Sequence, residues 1–222
     1  MSTDPSAVAE LLAALSYGER LAQRRAEQNV ELAPDARARG QQVRVSDRER
    51  ENLGLLEARL SELSSPGLEE RFSPFFDAFF EATHPRDWPE AQAFHYVGDA
   101  LVADFAEVLL PGLDPVTAQV VRTSLCERDE QDAFALDQVT AAIETDSAAR
   151  ERVAAYARRV AGEALTQTRR ALDASEGIGS LLGGEEGEKR ILLDLLDRHR
   201  RRLDRLGIEP VDLEPDDGDD EG

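Results

Sequence analysis

The chain has one cysteine, Cys126, and three histidines, His84, His95 and His199, among 222 residues. A lone cysteine excludes an intramolecular disulfide and makes a reducing cytoplasm the expected setting. The scarcity of histidine bears on chemistry, because acids recur in the apolar stripes of the helices with no imidazole at the spacing a metal site needs. Long apolar runs are missing too: every such stretch is too short or too interrupted to span a bilayer. The opening MSTDPSAVAELL places no basic segment ahead of an apolar one, so neither a cleavable export signal nor a membrane partner is expected. No segment alternates with a strand's period of two over a useful length, and no repeat argues for a solenoid.

What is present in excess is acid. Net charge is −20, and the last fourteen residues hold eight acids and no base, which leaves −12 on the rest. A field of that sign favours solubility and opposes broad binding to nucleic acid or anionic membrane. Because one hydrophobic core can grow to about 250 residues, residues 1–208 are expected to form a single helical domain. Residues 209–222, EPVDLEPDDGDDEG, have too few apolar side chains to repay ordering and are expected to form a disordered acidic tail. Bases cluster as Arg24, Arg25, Arg37, Arg39, Arg44, Arg48 and Arg50 and again from Lys189 to Arg205. Most alternate with acids and read as solvated helix faces, so a nucleic-acid-binding face is the less favoured reading.

Helical spacing runs through nearly the whole chain. Val8, Leu12, Leu15, Glu19, Ala22 and Ala26 follow at three- and four-residue steps after Pro5, which points Glu19 inward. Pro34 opens a second helix with the stripe Val45, Glu49, Asn52, Leu53, Leu56, Leu60 and Leu63, stopped by Ser-Ser-Pro-Gly at Ser64 to Gly67. The aromatic-rich stretch from Phe72 to Trp88 reads as a short helix and a turn packed over one end. A third long helix runs from Pro89 to Pro111 with Asp99 and Asp104 near its stripe. A fourth, capped by Asp114-Pro115, carries Val121, Leu125, Arg128, Ala135 and Val139 inward, with Gln131 on its flank. A fifth covers Ala148 to Ala174, Gly177 to Gly187 is a flexible glycine-rich connection, and a sixth covers Glu188 to Leu206. Short connections give an all-α, up-and-down bundle of four long helices with two more packed alongside.

In di-iron and di-manganese bundles, two helices each give a carboxylate and two each give Glu-x-x-His, since residues three apart share a helix face. Here Glu19, Glu49 and Asp99 stand where ligands would converge, while Asn52, Arg128 and Gln131 occupy the remaining places. Glu49-Arg50-Glu51-Asn52 keeps the first Glu-x-x-His with an amide for the imidazole, and Arg128-Asp129-Glu130-Gln131 replaces both members of the second. An amide is a poor donor for iron or manganese.

The runs LSYGERLA (Leu15 to Ala22), FHYVGDALVADFAEV (Phe94 to Val108) and VAGEALTQTRR (Val160 to Arg170) resemble an actinobacterial branch of ferritin-like proteins. That branch is related to the tRNA hydroxylase acting on 2-methylthio-isopentenyl-adenosine. The resemblance covers roughly Val8 to Leu206 and implies a ferritin-like bundle with a di-iron centre that activates dioxygen. Its first-helix glutamate falls on Glu19, its second-helix pair on Glu49 and Asn52, its third-helix carboxylate on Asp99 or Asp104, and its fourth-helix pair on Arg128 and Gln131. Three of the six ligands survive as acids, so the site reads as vestigial.

Arg128 is expected to stand in for the metal, its guanidinium offsetting carboxylates that would otherwise repel one another. A residual single-metal site, or a register one turn off that turns Glu127 or Glu130 inward, is the alternative. His95, four residues from Asp99, is expected to be a partly exposed, hydrogen-bonded histidine at a helix start, and His84 to lie in a turn beside Pro85. His199 sits among arginines, Cys126 reads as a packing residue, and Glu163 as a hydrogen-bonding residue at a close helix contact. Tyr17, Tyr96 and Tyr156 are placed in the interior with satisfied hydroxyls. The favoured function is a metal-free bundle that binds a partner, either a second copy or a related paralogue. An active di-iron or di-manganese hydroxylase and a small-molecule binder using the vacated interior are the other two readings.

Overall fold

A computed structural model describes residues 4–63 and 67–209. Residues 210–222 of the expected tail, and Ser64, Ser65 and Pro66 of the expected helix stop, lie outside the described residues. Among the described residues all regular structure is helical. The elements are α1 (Pro5–Asn29), α2 (Ala36–Glu62), α3 (Glu69–Ala82), α4 (Trp88–Ala93), α5 (Asp99–Leu109), α6 (Pro115–Val121), α7 (Asp129–Thr145), α8 (Ser147–Asp173), α9 (Glu176–Leu182) and α10 (Glu185–Arg205). Aspartates 4, 35, 87, 114 and 146 each cap a helix by accepting from backbone N–H groups of its first turn.

The first leg of the bundle is α1 and the second, antiparallel to it, is α2: Gln42 donates to the Ala26 carbonyl near one end and Arg20 meets Glu57 towards the other. The third leg is α4 and α5 joined by a π-helical turn, Phe94–Gly98, in which the Asp99 N–H reaches back five residues to the Phe94 carbonyl. The fourth leg is α6 and α7. The expected continuous fourth helix is interrupted by a second π turn, Arg122–Cys126, and by Glu127 and Arg128, whose backbone leaves helical geometry. With α8 and α10 packed alongside, this is the expected all-α helical bundle.

Two segments differ from the sequence reading. The aromatic stretch does not cover an end: α3 runs beside α1 in the same direction, pairing Arg71 with Glu10, Asp77 with Tyr17 and Thr83 with Arg25. Its other side packs on α8, where Tyr156 donates to the Thr83 carbonyl. The glycine-rich segment is not a loose connection but the short helix α9, because Ser175 caps it and Ile178 and Leu182 are buried. Only Gly183 and Gly184, with φ of +91° and +76°, form the turn into α10.

The core has two apolar clusters, one around Leu11, Leu12, Leu56 and Leu109, the other around Phe94, Val139, Tyr156 and Leu203. Along the third leg, Val97 belongs to one cluster and Leu101 to the other, with Asp99 between them; along the fourth, Arg128 falls between Leu125 and Ala135. The fold therefore sets these two charged residues at the junction of the two clusters.

Candidate functional site

Three helical stripes carry polar residues into this junction. From α1 come Glu19 and Asn29, from α2 Gln42, Glu49 and Asn52, and from the third leg Gln92, His95 and Asp99, all buried. The spacings 42, 45, 49, 52 and 92, 95, 99 keep each set on one face.

The network is continuous over much of its length. His95 Nδ1 lies 2.7 Å from Asp99 Oδ2, and its Nε2 lies 3.1 Å from Gln42 Nε2 and 3.4 Å from Asn29 Nδ2. With the two amide nitrogens as donors, the imidazole accepts at Nε2 and donates from Nδ1 to the carboxylate. Gln92 in turn donates to Gln42 Oε1 at 3.0 Å. Both ring nitrogens of His95 are thus engaged. The sequence reading had this histidine partly exposed, but it is 4 % exposed, because the π turn at Phe94–Gly98 holds the whole segment inside the bundle.

Arg128 enters from the fourth leg. Its Nη2 donates to the His95 carbonyl at 3.1 Å, and stands 3.7 Å from Asp99 Oδ2 and 3.3 Å from Asp132 Oδ1. Burial opposes its charge, yet Asp99, Asp132, Glu49 and Glu19 outweigh that and hold the guanidinium more firmly protonated. Burial, then the adjoining Glu49 carboxylate and Asp99, push the Glu19 carboxyl well above the usual carboxylate range, which favours its neutral form. Glu19 Oε1 and Arg128 Nε are buried without a hydrogen-bond partner. Asn52 donates to Glu49 Oε2 at 3.4 Å.

As arranged, these side chains do not fit a metal pair. Among the described residues, no three His, Cys, Asp or Glu side chains come together in a group that could hold a metal ion. The one imidazole is turned to Asp99 and two amides, and a guanidinium sits among the acids.

The other sequence candidates fall as follows. Asp104 is buried but faces α10, where Arg202 Nη2 donates to its Oδ1 at 2.9 Å and Arg198 Nη1 at 3.3 Å, so Asp99 is the acid of this helix that joins the network. Gln131 is only half-buried, while Asp132 is the residue of α7 that reaches Arg128; Glu127 and Glu130 are exposed. The spacing Arg128-x-x-x-Asp132 was the available signal for that pair. His84 is exposed. His199 is buried, and burial with nearby Arg202 depresses its imidazole to about 4. Burial raises the Cys126 thiol to about 11, which makes it a poor nucleophile at neutral pH. Glu163 accepts from Gln167 on its own helix at 3.5 Å. The Tyr156 hydroxyl is satisfied as expected, but that of Tyr96 is buried without a partner, and Tyr17 is half-buried, donating to Asp77. Arg25, one of the clustered bases, is buried between the rings of Phe80 and Phe94, with centroid distances of 4.3 and 4.4 Å.

Beside the network lies a cavity of about 130 Å³. Glu19, Glu49, Asp99 and Arg128 line it, together with apolar side chains from α1, α3, α5 and α8. Its half-buried lining residues Phe75, Phe76, Val102, Phe105 and Leu165 place its approach between α3, α5 and α8. Gly18 lets α3 come this close, since a Cβ there would stand 2.6 Å from the Phe76 ring.

No curated protein matches this sequence. A family profile described as a ferritin-like domain of actinomycetes matches residues 4–185, which span α1 through the start of α10 and every residue of the buried network. The chain therefore belongs to the ferritin-like domain family of actinomycetes.

Proposed function

We propose that this protein is a non-catalytic binding member of the ferritin-like family, in which an arginine-centred ion cluster takes the place of the metal pair and the adjoining cavity receives a small molecule. The observation that carries this reading is the Arg128 guanidinium, buried against Asp99 and the His95 carbonyl and facing the same cavity as Glu19 and Glu49. A fixed cation there neutralises the acids without a metal, and a largely apolar space beside a few fixed polar groups is the usual form of a small-molecule site. Of the two binding readings of the sequence, the small-molecule one gains support from this cavity.

The reading does not extend to tRNA hydroxylation. Several clustered arginines meet acids: Arg39 with Glu31, Arg50 with Glu27 and Asp47, Arg198 with Asp104, Asp194 and Glu107, and Arg202 with Asp104. Paired cations of this kind are poor phosphate contacts.

Thermal unfolding tests the proposal. Ligands that bind only the folded state raise its melting temperature. Added Mn²⁺, added Fe²⁺ under anaerobic conditions, and a strong chelator are each expected to leave the midpoint unchanged. A rise of several degrees with either metal, reversed by chelator, would overturn the reading.

A further inference from the structure

The proposed binding role rests on the cavity beside Arg128, and the lining of that cavity narrows what enters it. Six of the chain's eight phenylalanines, Phe75, Phe76, Phe79, Phe80, Phe94 and Phe105, form its walls. Such a concentration in a chain that is 5 % aromatic favours ring-on-ring contact with an aromatic guest. At about 130 Å³ the space is close to that of an engineered apolar cavity of about 150 Å³ that holds benzene.

The polar end sets the head group. Glu19 Oε1 and Gln167 Oε1 are buried acceptors without partners, and Arg128 Nε–H is a buried donor without one. All three side chains line the cavity. Arg128 is already countered by Asp99 and Asp132. A carboxylate guest would add a further anion beside Asp99, Asp132 and Glu49, and an ammonium guest would compete with the guanidinium. A hydroxyl adds no charge and offers both the donor and the acceptor these atoms lack. We propose that the cavity binds a small neutral aromatic molecule bearing one hydroxyl group, its ring among the phenylalanines and its hydroxyl between Glu19 and Arg128.

Calorimetric titration of the full chain with p-cresol, toluene, 4-methylbenzoate and 4-methylbenzylamine tests this. One molecule of p-cresol per chain is expected, with a Kd roughly ten-fold below that of toluene, the effect of about one satisfied buried hydrogen bond. Both charged analogues are expected to bind more weakly than toluene. Ala164→Leu and Val102→Phe, which fill the cavity from α8 and α5, should each abolish cresol binding while retaining helical circular dichroism. Toluene binding as tightly as p-cresol, tighter binding of a charged analogue, unchanged cresol binding in both filled variants, or no binding at all would overturn the inference. Metal content of the same sample separates the failures: a metal-loaded protein defeats the underlying reading, whereas a metal-free protein that prefers toluene defeats only the hydroxyl assignment.

Discussion

Arg128 decides the character of the site. A buried guanidinium is tolerable only where acids surround it, and those acids are tolerable as neighbours only because the guanidinium is there. Removing one side of such a balance strands the other. Arg128→Met should therefore cost about 3–5 kcal/mol, read as a lower urea midpoint with an unchanged slope. Arg128→Lys should recover part of that loss, since an ammonium keeps the charge but ends on a shorter side chain than the Arg128 Nη2 that meets Asp99 and the His95 carbonyl. If Arg128→Met is as stable as the parent, the cluster is not held together by this residue. The inward placement of Glu19, Glu49 and Arg128 was legible in the sequence because each sits on an apolar stripe, whereas Asp99 and Asp104 both lie near one and the sequence leaves the choice between them open. Gln42 and Gln92 extend two of those stripes by another turn and were legible in principle. Buried glutamines are passed over because amides are ordinary on surfaces, and nothing local shows that His95 will satisfy them.

At the scale of elements, helix existence follows from periodicity and capping, whereas helix interruption does not. The two π turns, Phe94–Gly98 and Arg122–Cys126, lie in segments whose apolar spacing reads as continuous helix, and each adjoins a residue of the network. A single extra residue in a turn changes which side chain faces inward without leaving a compositional trace. The glycines of the α9–α10 corner mislead in the opposite direction, reading as flexibility when they allow close contact. A Cβ on Gly187 would lie 1.8 Å from the Leu182 carbonyl oxygen, which is backbone and cannot step aside. Gly187→Ala should cost about 2 kcal/mol or more, seen as a drop of several degrees in melting temperature. An unchanged melting temperature would mean that α9 is not seated against α10 as described.

At the scale of the molecule, the fold is an acidic bundle whose interior contains its own counter-charges. Acid stability reports on that interior. His199 is buried with Nδ1 unpartnered, and its pKa falls from an ordinary 6.5 to about 4 because burial, and then Arg202, oppose its charge. The unfolded chain binds a proton there below pH 6.5 that the folded chain does not accept until about pH 4. This contribution to stability is complete above pH 6.5 and is lost between pH 6.5 and 4, a loss on the order of 3 kcal/mol. His199→Leu should flatten that limb in urea unfolding measured across the interval; an identical limb in parent and variant would assign the acid sensitivity elsewhere. The central claim, that a guanidinium stands in the place of a metal pair, is tested most directly by elemental analysis of protein expressed with iron and manganese supplied. Well under 0.2 equivalents of either metal per chain, on the order of adventitious binding alone, is the predicted result. Close to two equivalents, retained through a chelating column, would contradict it and restore an oxygen-activating centre as the leading account.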